Sequence, residues 1–299
     1  MNGALWAAAG ASVLVGAGIV ASRFVVAEVP PLTLALLRYT VGVLCLLPFA
    51  LPMLGTALRV LRRRDLLALT ALGIGQFAVL IALLNWGLQH VGAGPAAMIF
   101  SLFPLLTLLL AAGLGRERVS PGLLLGVLVS IAGVGLSLLP KLQGAHAGHW
   151  WGELAVFASA CIGALCSVLY RPYLQRYPTV PVSAFAMLAS VMFLPFAAAA
   201  EGWPARVAAL DAATWGVVAF IGVSSAVGYF WWLHALKHES PTRVTVFLAL
   251  NPVTATFLGW ALLAEQLPPS ALAGLGLVAA GLWLATRPVP SAKRQPAPG

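Results

Sequence analysis

Seven side chains with hydrogen-bonding capacity stand inside long apolar runs of this chain: Gln76, Asn85, Ser101, Ser224, Tyr229, Trp231 and Asn251. A polar group at such a place is costly unless it finds a partner, which makes each a candidate for binding a solute. A neutral amide or hydroxyl can hydrogen-bond the carboxylate or the ammonium of a small molecule. The competing use is a plain helix–helix hydrogen bond, which these residue types commonly make in membranes. Phe100, Phe103, Tyr229, Phe230, Trp231 and Trp232 would line an aromatic cavity if they face inward, or meet lipid if they face outward.

Four prolines interrupt the same runs. Pro104 and Pro252 each free a carbonyl one turn earlier, at Phe100 and Leu248. Breaks of this kind near a bilayer midplane often mark substrate sites, although membrane helices also tolerate proline as a packing kink. Pro48 and Pro195 form a second pair, expected to act as hinges.

The charged groups narrow the chemistry. The acids are Glu28, Asp65, Glu117, Glu153, Glu201, Asp211, Glu239 and Glu265, and all lie at or near the ends of apolar runs. A proton-coupled exporter of organic cations ordinarily needs a carboxylate deep in the membrane. Its absence favours a neutral or zwitterionic substrate. Glu153 is the nearest exception, with placement at a helix N-terminus as its alternative role. Glu117 and Glu265 precede the Ser or Pro that opens the next helix and are expected to be loop or cap residues. Arg38 lies well inside a run. It is expected to snorkel to the headgroups, with binding of a substrate carboxylate as the sharper alternative.

Enzyme chemistry finds little support. There are no paired carboxylates and no Gly-x-Ser-x-Gly elbow. The histidines, His90, His146, His149, His234 and His238, lie in loops or at helix ends, and His146 with His149 alone would be a weak metal site. Cys45, Cys161 and Cys166 sit in apolar runs without metal spacing. The expectation is no catalytic residue, no metal and no cofactor.

The elements that carry these residues follow from composition. Of the 299 residues, 61% are hydrophobic and 8% charged, against about 25% charged in soluble domains. Mean hydropathy is +0.96. The net charge of +9 does not signal nucleic-acid binding, because the basic residues fall in short loops rather than on one face. Runs of about 20 apolar residues can span a bilayer. Ten are expected, over 4–24, 32–53, 66–87, 94–114, 120–139, 151–171, 180–200, 212–234, 243–263 and 269–286. Residues 287–299 read as a disordered tail. With the N-terminus in the cytoplasm, the inner side receives Arg59, Arg62, Arg63, Arg64, Arg116, Arg118, Arg171, Arg176, Lys237, Arg243, Arg287, Lys293 and Arg294 of the 17 basic residues. The positive-inside rule therefore places both termini in the cytoplasm. No cleavable signal peptide is expected, since the first run lacks a preceding basic region.

Sliding the chain against itself by 148 positions superposes Pro104 on Pro252, Glu117 on Glu265, Pro121 on Pro269, Gly126 on Gly274, Gly133 on Gly281 and Gln76 on Ser224. One further residue of slip brings Leu47-Pro48-Phe49-Ala50 onto Leu194-Pro195-Phe196-Ala197. Each copy holds five expected helices, an odd number, so the second must enter the membrane from the opposite side. The expected fold is all-α: ten transmembrane helices as two inverted five-helix repeats, residues 1–140 and 150–286. Such repeats allow alternating access, because each copy can adopt the other's conformation. Glycines in helices 5 and 10, Gly126 and Gly133 with Gly274 and Gly281 among them, imply close packing within the protomer or across a dimer.

Several stretches carry a resemblance. They are Pro30-Pro31 with Leu34 to Arg38-Tyr39, Leu83 to Gly94, Ser101 to Pro104, and Arg116-Glu117-Arg118 with Ser120-Pro121, Gly126 and Ala132-Gly133. Gly152-Glu153, Asn251-Pro252, and Glu265 with Pro269 repeat them more loosely. Over nearly its whole length the chain resembles the drug/metabolite transporter superfamily, in its members with two EamA-type domains. That resemblance implies efflux of small metabolites across a cytoplasmic (inner) membrane, in a family that includes amino-acid exporters. It also implies a central cavity among helices 1, 3, 4, 6, 8 and 9, with helices 5 and 10 peripheral. The expected function is export of neutral or zwitterionic metabolites, apolar or aromatic amino acids foremost. The alternatives are a proton-coupled organic-cation exporter and, from another class, a membrane-embedded enzyme. The expected partners are a small-molecule substrate and the lipid bilayer.

Overall fold

The computed structural model describes residues 3–60, 62–115, 121–139, 150–177, 179–238 and 246–285. Glu117, Glu239, Arg243, His146, His149 and the tail 287–299 lie outside the described residues. The helices are α1 (Gly3–Val25), α2 (Pro31–Val60), α3 (Arg63–Gly73), α4 (Leu80–Leu88), α5 (Ala93–Phe100), α6 (Phe103–Gly113), α7 (Pro121–Ser137), α8 (Trp151–Arg176), α9 (Thr179–Ala197), α10 (Trp203–Ala208), α11 (Ala212–His238), α12 (Leu250–Leu263) and α13 (Pro269–Ala285). Among the described residues, 7 helical stretches are long and apolar enough to cross a membrane. They match the expected spans 1–4 and 6–8, and spans 5, 9 and 10 appear as shorter apolar helices, Leu124–Ser137, Leu250–Leu263 and Pro269–Leu284. Phe24, Phe49, Phe196 and Leu262 point outward. An apolar exterior of that kind belongs in lipid, since water-soluble monomers rarely expose large apolar patches.

Three interruptions shape the interior. A π-helical segment, Ile74–Val79, joins α3 to α4 and holds Gln76 at its centre. Such bulges widen one turn and recur at functional sites; periodicity in a uniformly apolar run gives no hint of one. Between α5 and α6 the chain turns at Ser101 and Leu102, with Pro104 in the first turn of α6. The turn Val246–Ala249 precedes α12, where Pro252 stands in the first turn. Spans 4 and 9 thus restart at their symmetry-related prolines, as a residue that cannot donate to the preceding turn requires. Pro48 and Pro195 stay inside α2 and α9.

The packing repeats itself across the 148-residue shift. Helix α1 packs on α11, and its counterpart α8 packs on α4; α2 packs on α11, and its counterpart α9 packs on α3. Gly222 lets the Arg38 carbonyl come to 3.0 Å of where a Cβ would stand, and Gly73, one residue before the image of Gly222 under the shift, admits the Ala186 carbonyl. Helices α7 and α13 pack on each other along their length. There a Cβ on Gly133 would meet the Gly274 carbonyl at 2.7 Å, and one on Gly281 would meet the Gly126 carbonyl at 2.6 Å. Each of these contacts is the image of the other under the shift. Glycines at helix crossings let two backbones approach without an intervening side chain. The sequence left open whether these glycines pack within the protomer or across a dimer; they pack within the chain.

Acids stitch one end of the bundle. Glu201 accepts from the Leu32 and Thr33 amides at 3.0 and 2.7 Å, capping α2. Glu28 accepts from the Thr214 hydroxyl at 3.0 Å. Glu265 accepts from the Ala93 amide at 2.7 Å. Glu265 is therefore a cap, as expected, but of α5 in the other half of the chain rather than of the helix it precedes. At the opposite end Asp65 accepts from Arg176 at 3.3 Å and from the Tyr177 hydroxyl at 2.5 Å.

Asp211 opens α11 by accepting from the Thr214 amide at 2.8 Å. That backbone bond holds its carboxyl below the usual carboxylate range. A depressed folded-state pKa adds stability that is complete above the ordinary carboxylate value and disappears as pH falls through the lowered one. Asp211→Ala is expected to lower the melting temperature at pH 7 and to flatten its decline below pH 4. Thermal unfolding of both proteins across pH checks this.

Candidate functional site

Helices α1, α2 and α11 and the π segment meet around Arg38. This side chain is 9% exposed. Its Nε donates to Ser225 Oγ at 2.8 Å, and its guanidinium lies 5.7 Å from the centre of the Tyr39 ring. The expected snorkelling to the headgroups does not occur. Gly222 draws α11 against the Arg38 backbone, and Gly18 of α1 lies across from Nη2, so the side chain extends between helices instead of along the outer surface. Tyr39 stands edge-on to Phe77 at 5.2 Å, and Phe77 to Tyr229 at 6.1 Å. These rings tie α2, the π segment and α11 into one aromatic wall.

The sequence candidates distribute unevenly about this point. Ser224 Oγ lies 3.9 Å from the position a Gly18 Cβ would take, close to Arg38, and donates to the Ile221 carbonyl. Tyr229 joins through Phe77, and Gln76 is its neighbour in the π segment, with a buried Oε1 that meets no donor. Asn251 is buried in α12 where its backbone meets Gly16 of α1, and its Oδ1 also meets no donor. Orphaned buried acceptors in a membrane interior are what a solute's donors would satisfy. Ser101 donates to the Met98 carbonyl at the break before α6. Asn85 donates to the Pro31 carbonyl at 3.1 Å, tying α4 to the start of α2. Trp231 is 38% exposed and lies over Gly10 of α1, away from Arg38. Ser225 had escaped notice; its adjacency to Ser224 in the middle of an apolar helix was the available signal.

A second feature is a cavity of about 980 Å³ at the acid-stitched end. Trp86, Met98, Trp151, Glu153, Thr256 and Glu265 are among its lining residues. It draws on spans 3, 4, 6 and 9 of the six that the resemblance implied, and no residue of span 1 or span 8 lines it. Ser137 and Ala271 at the ends of α7 and α13 add to it, so spans 5 and 10 are not wholly peripheral. None of the seven sequence candidates lines it. Glu153 does, and it is 6% exposed. The described acids keep to helix ends, but an end position is not an exposed one: α8 begins recessed against α4, where a Cβ on Gly152 would meet His90 at 2.7 Å. Among the described residues no group of His, Cys, Asp or Glu is placed to hold a metal ion, and the three cysteines are free.

Comparison with known proteins gives the same architecture a family. The family model of the EamA-like transporter family matches residues 1–139 and again 150–287. An "Uncharacterized transporter" of Archaeoglobus fulgidus is 30% identical over 75% of this chain and 79% of its own length. A "Probable terminal-alkyne amino-acid exporter" of Streptantibioticus cattleyicolor is 31% identical over 85% of this chain and 83% of its own. A solved crystal structure superposes with a TM-score of 0.67 at 21% identity, covering 95% of this chain and 96% of that one, a likeness of fold. Two matches of one family model fall on the two halves that the 148-residue shift superposes, and they join an apolar helical bundle whose crossings occur in pairs. The chain belongs to the EamA-like transporter family and is a multi-pass membrane transporter.

Proposed function

We propose that this transporter exports small neutral or zwitterionic metabolites, apolar and aromatic amino acids foremost, by alternating access. The working unit is ten spans in two inverted repeats, residues 1–140 and 150–286, with both termini in the cytoplasm. The observation that carries this reading is the pairing of helix crossings: α1 on α11 with α8 on α4, and α2 on α11 with α9 on α3. Two halves that make the same contacts in opposite orientation can exchange conformations, which turns one access state into the other. Gln76, Ser224, Tyr229 and Asn251 supply neutral hydrogen-bonding groups along the path. The amino-acid exporter among the relatives supports the substrate class. Pro104 and Pro252, where spans 4 and 9 restart, and Pro48 and Pro195 serve as the hinges.

Counterflow in proteoliposomes tests this. Vesicles loaded with unlabelled phenylalanine are expected to accumulate labelled phenylalanine saturably. Gln76→Ala and Asn251→Ala are each expected to slow exchange roughly five- to tenfold, the loss of about one hydrogen bond to the solute. Absence of amino-acid exchange sinks the substrate assignment.

A second reading draws on Glu153. A buried carboxylate in a cavity with Trp86 and Trp151 suits a cationic amine, through charge and ring faces alike. Flux of a quaternary amine that depends on a pH gradient and is lost in Glu153→Gln would favour it.

A further inference from the structure

The crossing that holds Arg38 occurs twice, and only one copy carries a charge. The 148-residue shift takes Arg38 to Ala186 and Gly18 to Cys166. Gly222 faces the Arg38 backbone and Gly73 faces the Ala186 backbone. The second copy forms its crossing with a methyl group, so the packing does not require a guanidinium. Within a membrane interior that group is expensive. It does not shed its proton, and its desolvation goes uncompensated without an opposite charge.

The protein supplies only part of what the guanidinium needs. Ser225 gives its own hydroxyl proton to the Ile221 carbonyl at 2.6 Å, so toward Arg38 it acts as an acceptor and receives Nε. That bond sets the plane of the fork against α11. Among the described residues no carboxylate pairs with Arg38, and neither Nη atom donates to a protein acceptor. Opposite Nη2 the face of α1 is Gly18, where an added Cβ would sit 3.8 Å from Nη2 and 3.9 Å from Ser224 Oγ. Nη2 thus faces a glycine of α1, with the Ser224 hydroxyl beside it.

We propose that Arg38 is the subsite for a carboxylate of the transported solute, its nitrogens donating to the carboxylate oxygens and replacing the missing counter-charge. The cargo class is then monocarboxylates, amino acids included, rather than amides or organic cations. This rests on the transporter reading and names the chemistry that its central site selects.

The test is binding to the full-length protein in detergent by titration calorimetry, with L-phenylalanine, 3-phenylpropanoate and L-phenylalaninamide as probes, beside counterflow on the same preparation. Wild type is expected to bind both carboxylates and not the amide. Arg38→Gln is expected to weaken carboxylate binding about 10- to 100-fold, the loss of a charge-assisted bond, with Arg38→Lys between the two. Ser225→Ala keeps the charge but frees the fork, and is expected to weaken binding a few-fold; with the amide comparison it decides the matter if Arg38→Gln does not fold. Equal binding of carboxylate and amide, an undiminished Arg38→Gln, or no carboxylate binding overturns the proposal. Counterflow of some other solute without carboxylate binding would overturn it and leave transport intact. Arg38-dependent binding without exchange of any solute would uphold it and sink alternating access.

Discussion

Gly281→Leu is expected to lower the melting midpoint by about 5 °C or more, while Gly276→Leu five residues away on the same helix has little effect. Gly281 stands where α13 meets α7. A Cβ there would strike the Ser130 hydroxyl and lie 2.6 Å from the Gly126 carbonyl. Neither backbone can yield, so the helices must separate and lose contacts along their whole crossing. Overpacking of this kind costs about 1–3 kcal/mol in ordinary cores, and more where the obstacle is backbone. For a chain of this length a 3 kcal/mol loss lowers the melting midpoint by about 5 °C. A Cβ on Gly276 has nothing within 4 Å. Gly133→Leu, at the position the repeat makes equivalent, is expected to match Gly281→Leu. Thermal unfolding in detergent with these three variants decides it, and similar midpoints for all three would mean the crossing is not as drawn.

Loss of the Glu265 carboxylate is the second large effect. It accepts from the Ala93 amide at 2.7 Å and the Gly94 amide at 3.3 Å, two of the unpaired donors with which any helix begins. Gly92, the residue at the cap position of α5, has no side chain to take its place. Glu265→Ala is expected to cost roughly 1–3 kcal/mol, with Glu265→Gln costing less because one acceptor remains. Because the bond joins the two halves beside the cavity, part of that cost should appear as opening. In a background lacking Cys45, Cys161 and Cys166, Met98→Cys is expected to react several-fold faster with a membrane-impermeant thiol reagent once Glu265 is alanine. Gly259→Ala should mimic it, since its Cβ would lie 2.8 Å from Glu265 Oε2. Unchanged stability together with unchanged labelling would reduce Glu265 to a surface contact.

Much of the frame is legible in the linear chain. The apolar runs, the prolines that restart spans 4 and 9, and the 148-residue repeat are properties of the linear chain. They follow from how many apolar residues a membrane requires, from a residue that lacks an amide proton, and from duplication. Glycines matched between helices 5 and 10 announced close packing, and the structure placed it within the chain.

The side-chain partners were not legible. In a soluble helix, amphipathicity tells which face turns inward. Here lipid outside is as apolar as the core inside, so the pattern says little about facing. Arg38 therefore read as a snorkelling residue until the approach of α1 and α11 enclosed it. Glu153 read as the nearest exception among the end-placed acids, with a helix N-terminus as its alternative role, and only the recess beside α4 shows it buried. Glu265 read as a local cap, although its partner is 172 residues away, a pairing no local spacing encodes. The sequence by itself determined that this is a two-repeat membrane transporter, because hydropathy and duplication are one-dimensional. Only the tertiary structure decided which charges are enclosed and what they face, because close helix approach is a property of pairs of surfaces.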